Sequence, residues 1–259
     1  MPEQFPGESQ ATSLESPAHY LGSSVLLDLD DGRLRLKARS LTQLCKTDRE
    51  RAMALHNYVK KLPFERALKF RLRTAREVMD IGAGDASDKA TLLVALLRRA
   101  RIPARIRFVE LKGEILRGLT SRMPTAPRPV VEIWLHSRWV RTDTYIFDAG
   151  YMAAARQRLK DHDWEWGYGI HRNGQSIWNG TDDAFLGGYT TEQDPLVVRT
   201  LGVYHDPRHF VCSELYRRNF RPVAGLHWNI LSLLMRKSVR QLRAEGSPQG
   251  PADRFGKLS

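Results

Sequence analysis

Cysteine is nearly absent from this 259-residue chain: only Cys45 and Cys212 occur, far apart. A disulfide-stapled secreted fold is thereby excluded, and two reduced, buried thiols are the expectation. No run of about 18 apolar residues exists, so no membrane-spanning helix is expected. The first residues carry Glu3, Glu8 and Glu15 but no basic stretch followed by an apolar one, so no signal peptide is read and a cytoplasmic location is the expectation. Neither a Gly-X-Y repeat nor a sustained heptad is present, nor any internal repeat, which removes collagen-like, coiled-coil and solenoid architectures. What is present is ordinary for a folded domain, with 42% hydrophobic and 27% charged residues. Positive charge dominates: 41 Lys and Arg against 29 Asp and Glu give a formal net charge of +12. The basic residues are spread along the chain, with no RNP signature, zinc-finger spacing or helix-turn-helix. A solvated arginine-rich face is therefore expected rather than a nucleic-acid groove, with salt-dependent adhesion to anionic surfaces.

Periodicity sets the expected order of elements. Residues 1–20 read as disordered. Residues 25–39 read as two short strands around Asp30-Asp31-Gly32. A helix capped by Asp48 runs to Pro63, which ends it. A glycine-rich turn over 81–88 precedes a helix at Lys89–Ala100 that is apolar nearly all round, hence buried at the centre. Ile102–Glu110 is a strand, 112–129 a basic loop, and Val130–Leu135 with Arg138–Asp143 a hairpin turning at His136. Residues 144–205 read as loops and short helices, including the aromatic cluster Trp164, Trp166 and Tyr168. A last helix over 223–243 offers Leu226, Ile230, Leu233, Leu234 and Leu242 on one side as a docking surface for another chain. The organisation is then a disordered 1–20, a main domain over 21–205 with its loop-rich extension, a helical segment over 206–245, and a disordered 246–259.

Three patterns suggest chemistry. Val78–Ala86, VMDIGAGDA, resembles the glycine-rich loop of Rossmann-like methyltransferases that use S-adenosylmethionine. That resemblance implies a cofactor cradle with Glu110 on the ribose, but strand–helix alternation does not continue afterwards. His205 and His209 stand four apart, as metal ligands on one helix would. Pro207 between them opposes such a helix, and no acid or cysteine joins them at a usual spacing, so no metal is expected; Asp161-His162-Asp163 is weaker still.

The third pattern spans residues 41–150. GDASDKATLLVALLRRARIPARIRF, then PRPVVEIWLHSRWVRTDTYIFD, resemble in order and spacing the transglutaminase-like superfamily. The lead-in Tyr58-Val-Lys-Lys-Leu-Pro-Phe64 fits as well. The resemblance implies an α+β, papain-like domain in which a buried central helix packs on an antiparallel sheet, here with a C-terminal helical extension. It also implies a Cys at the N-terminus of that helix, where the dipole and free amides favour a thiolate. A His on one strand would take the thiol proton, and an Asp on the next would orient the His. Here the Cys position is Ala86 and the His position Arg128; only Asp143 is kept.

A methyl group cannot attack a carbonyl, and a guanidinium is not a base at neutral pH. Loss of both positions argues for a naturally altered site, so whether the chain is an enzyme is left open. Ser87 lies about 100° around the helix from Ala86 and reads as a first-turn hydroxyl; Asp85 and Asp88 suit the helix N-terminus. The leading expectation is a catalytically degenerate protein whose former groove binds an anionic or acyl/peptide ligand through Asp85, Ser87, Arg128 and Trp139, with no cofactor. Non-thiol acid–base chemistry on an amide or acyl group, in a bacterial biosynthetic setting, is the alternative.

Overall fold

The computed structural model describes residues 16–65, 71–120, 123–219 and 225–246. Its centre is helix α4 (Ala86–Arg99), buried continuously from Asp88 to Arg98. The start is fixed by a reciprocal cap. Asp85 accepts the amides of Ser87 and Asp88 at 2.9 and 3.1 Å, while Asp88 accepts the amide of Asp85 at 3.2 Å. Two charges inside this apolar helix are placed by carbonyls. Lys89 Nζ donates to Leu62 O and Ile146 O, both at 2.8 Å. Arg98 donates to Ala104 O, to His205 O and, at 2.6 Å, to Gly22 O. Buried cations are retained where several acceptors surround them.

Around α4 stand α1 (Gly32–Thr42), α2 (Asp48–Lys61) and α3 (Ala75–Ile81) on one side, and an antiparallel sheet on the other. The sheet runs β3 (Arg138–Thr142), β2 (Thr125–Leu135), β1 (Ala104–Lys112), β6 (Val197–Tyr204). Alternation divides its faces. Ile106, Phe108, Val131 and Ile133 join the core built on α4. Val109, Leu111 and Val130 join Ile115, Phe185 and Leu196 in a smaller second core. On that second face Glu132 lies between Arg105 and Arg107, 2.5 Å from each Nε. Helix α5 (Ala149–Asp161) follows the sheet, then the short pair β4 (Trp166–Gly167) and β5 (Ile170–His171). After β6 come α6 (Pro207–Cys212), α7 (Glu214–Asn219) and α8 (Gly225–Gly246), which packs on α5.

The mixed helix and antiparallel sheet are as expected, as are the hairpin and the central helix. The hairpin closes on His136 and Ser137, both at positive φ (52° and 61°), a geometry more usual for Asn-Gly. Several local expectations are corrected. Residues 32–42 are helical, not strand: Asp31 caps by accepting Leu34 N at 2.8 Å, and Leu34 and Ala38, four apart, are the buried pair. The cap of α2 is Thr47, not Asp48, and α4 starts at Ala86 rather than Lys89. The basic loop stops short, because β2 begins at Thr125 and carries Pro127 and Pro129. Both prolines are tolerated because β3 pairs only with Val131 to Leu135, which leaves that side of β2 unpaired.

Residues 144–205 hold a thirteen-residue helix and a full sheet strand, not only loops and short helices. At the N-terminus Pro17–Leu21 form a 3-10 turn with Tyr20 buried; the expectation for 1–15, like that for the tail from 247, lies outside the described residues. Cys45 is half-buried and Cys212 exposed, so the second thiol is not a core group. On α8, Leu242 is buried with Met235 and Val239 while Leu233 is exposed, so Leu233 and Leu242 do not share one free face. Leu226, Ile230 and Leu234 lie outside the described side chains.

Candidate functional site

Three turns of chain bring Asp85, Ala86 and Ser87 to a half-exposed position at the start of α4. Gly82 ends α3 in the left-handed region (φ 68°). Gly84 then bridges to Phe64 and has no room for a side chain, because a Cβ would fall 2.7 Å from Asp88 Cβ. The glycines of the DIGAGDA stretch thus stop one helix and start another. A dinucleotide-type loop follows a strand of a parallel sheet; here the stretch follows helix α3, and the four-stranded sheet is antiparallel throughout. Ser87 sits in the first turn, where its carbonyl accepts Thr91 Oγ1 at 2.9 Å.

Arg128 and Asp143 are brought together elsewhere on the sheet. Arg128 lies opposite Val109 in the β1–β2 ladder and so shares the face of Val130 and Glu132, the face away from α4. Its Nη1 is 3.2 Å from Asp143 Oδ2, and its Nη2 donates to Gly169 O at 2.5 Å. Asp143 accepts the amide of Leu186 at 2.7 Å on its other oxygen. Both partners are therefore satisfied by each other and by the backbone of the 164–189 crossover. Burial pushes the Asp143 carboxyl above its usual range, against the pull of Arg128 and the Leu186 amide. Beside the pair, between Phe185, Tyr189, Thr191 and Asp194, remains a gap of about 10 Å³, the room of a single water.

Tyr145 is fully buried. Its hydroxyl donates to Pro129 O at 2.9 Å, and burial, then the charges of Asp143 and Asp85, push its pKa well above that of free tyrosine while Arg128 opposes. Among the described residues no hydrogen bond joins Asp85, Ala86 or Ser87 to Arg128 or Asp143. Asp88 is pushed up to about 8 by burial and then by the Asp85 carboxylate, with Arg73 (3.1 Å) and the Asp85 amide opposing.

With this geometry in place, the comparison with known families is decisive for the central segment. Over residues 35–144 the chain matches the family model of the transglutaminase-like superfamily. Residues 35–144 are a transglutaminase-like domain. A solved protein of Cytophaga hutchinsonii, assigned to the cysteine proteases, is similar with 20% identity and a TM-score of 0.40. That similarity covers 51% of this chain and 40% of the Cytophaga protein, so the chain spans well under half of that relative's length. No curated protein matches.

The resemblance led to the expectation of the Cys, His and Asp positions at Ala86, Arg128 and Asp143; the structure pairs the last two and packs Ala86 on the core around α4. Trp139 is not beside them. It carries the Arg105 guanidinium 4.0 Å over its ring and meets Tyr20 edge-on at 5.5 Å, four ladder positions along β1 from Val109. His205 precedes α6 and His209 lies within it, their rings 5.8 Å apart, and among the described residues no group of three or more metal-type ligands forms. His136 is exposed at its turn. The aromatic cluster packs on its own surroundings: Arg117 lies 3.8 Å over Trp164, which stacks toward Tyr168. Sequence reading missed Gly169 and Leu186, because the groups they contribute are backbone atoms with no residue-type signature. No helix among the described residues is long and apolar enough to cross a membrane.

Proposed function

We propose that this is a catalytically degenerate transglutaminase-like protein that holds an acyl or peptide ligand without cleaving it. One observation carries the reading: the side chain at the base position, Arg128, is consumed by Asp143 and the Gly169 carbonyl. Ala86 supplies no nucleophile, and among the described residues no hydrogen bond joins its turn to Arg128 or Asp143. The non-thiol acid–base alternative would need a titrating group on the groove; Asp88 titrates in a suitable range but is buried against Gly84 and Arg73.

Between a free anion and an uncharged acyl group, the electrostatics favour the second. Asp85 already accepts the Ser87 and Asp88 amides that an anion would use, and brings its own negative charge. The charge of Arg128 is met by Asp143. The half-exposed start of α4 therefore suits an amide or ester, with Asp85 and Ser87 at its edge; Trp139 would contribute only from the far end of the sheet.

Isothermal titration with an uncharged glutamine-containing peptide, and in parallel with phosphate, tests this. Peptide binding is expected, weakened at least about tenfold by Ala86→Trp, which puts a bulky ring at the half-exposed start of α4, with phosphate giving no heat that depends on Arg128. Phosphate binding abolished by Arg128→Gln would move the ligand to the anionic class, and peptide binding indifferent to Ala86→Trp would remove the groove from the account.

A further inference from the structure

A second feature lies at the other end of the sheet and is independent of the altered triad. Tyr20, in the 3-10 turn Pro17–Leu21, is only 3% exposed although its turn is peripheral. Its ring stacks on His205 at 4.9 Å and meets Trp139 edge-on, with the Arg105 guanidinium 5.1 Å away. Two polar ties hold the chain just beyond it: Gly22 O accepts from Arg98, and Ser24 donates to Asp206. His19 lies edge-on to His205 at 4.9 Å, and His209 lies 5.8 Å from His205 on the other side. Three imidazoles thus form a chain across the seam between the N-terminal turn and the start of α6.

We propose that the N-terminal turn is an acid-released strap: docked over Trp139 and Arg105 at neutral pH, and let go when His205 at its seam takes up a proton.

The charged groups facing His205 are few. Arg98 from the end of α4, His19 from the strap and His209 from α6 face it; Asp206 is the acid among them, shared by Ser24, by the amides of Arg208 and His209 and, at 3.3 Å, by the His209 ring. Partial burial, then Arg98, His19 and His209, depress the proton affinity of His205, and Asp206 only partly offsets them. The sign follows. A histidine that stays neutral when docked and titrates normally when released supports docking above about pH 6.5 and ceases to do so as pH falls below it. At pH 5.5, one unit below that value, His205 alone weakens docking by up to about tenfold. Release would uncover the ring of Trp139 and the guanidinium of Arg105, whose Nη1 has no hydrogen-bond partner among the described residues in the docked state.

Amide hydrogen exchange of the full chain at pH 7.5 and 5.5, expressed as protection factors over residues 16–29, tests the strap. About a tenfold loss of protection at the lower pH is expected there, with α4 unchanged. His205→Gln should keep protection at both pH values. If that variant is already unprotected at pH 7.5, the double variant His19→Gln/His209→Gln, which keeps the Tyr20–His205 stack, should show a smaller loss than the native chain. Equal protection of the native chain at both pH values, or a loss in the variants as large as its own, overturns the proposal.

Discussion

At the residue scale, the two replacements that the proposed reading places at Ala86 and Arg128 have different weights. On that reading Ala in place of Cys removes a nucleophile and little else, since the half-buried methyl packs on the core around α4. Arg128 does more. It reaches Asp143 with a fixed charge and spends a second nitrogen on Gly169, so Asp143 is part of an internal ion pair that ties down the crossover over 164–189. Side-chain exposures of 11% and 3% make this a buried pair, in which removing one partner is costly. Asp143→Ala is expected to lower the unfolding free energy by about 3 kcal/mol, while the double variant Arg128→Leu/Asp143→Leu loses less, because no charge is left unpaired. Urea denaturation of the single and double variants checks this; additive losses would mean that the two side chains do not act as a pair. Arg128 and Asp143 could be named from sequence, since both fall within motif blocks. Their closure on Gly169 O and Leu186 N could not, since a backbone atom leaves no mark on residue identity.

At the element scale, the legible parts are those whose pattern has a single reading. The apolar run at 89–100 could only be a buried helix, and the alternation at 130–143 only a hairpin. The segment 25–39 shows where the pattern divides. Leu34, Leu36 and Ala38 alternate as a strand would, but Leu34 and Ala38 also stand one helical turn apart, and the Asp31 cap decides in favour of the helix, leaving Leu36 exposed. Strand β6 was illegible because it is a sheet edge: Val198, Arg199 and Thr200 face solvent, and only Leu201 is fully buried. The cap of α4 makes its own prediction. Asp88 is raised to about 8 in the folded chain, so its contribution to stability is greatest below the ordinary carboxylate range and is lost as pH rises through 8. Asp88→Asn should therefore flatten the fall in stability between pH 6 and 9, read as urea midpoints. A variant with the native slope would show that Arg73 and the Asp85 amide hold Asp88 ionised throughout.

At the scale of the whole molecule, the segment that matches the transglutaminase-like model combines a central helix with an antiparallel sheet, and the proposed reading is that the place of the chemistry has been filled. The crossover lies over the Arg128–Asp143 pair and leaves a gap of about 10 Å³. Part of the arginine complement that the sequence reading placed on a solvated face is engaged internally. Arg73, Arg76, Arg105, Arg107, Arg128 and Arg141 each face a carboxylate, which leaves the net charge of +12 to act through other, dispersed residues.

The central claim, that the site binds without reacting, is tested most directly by intact-mass spectrometry after incubation with an activated ester, p-nitrophenyl acetate, alongside product release. The account predicts no acyl adduct within residues 85–87, and the same slow background release from the native chain and from Asp143→Asn. An adduct mapped to that segment, or release that Asp143→Asn abolishes, would contradict it.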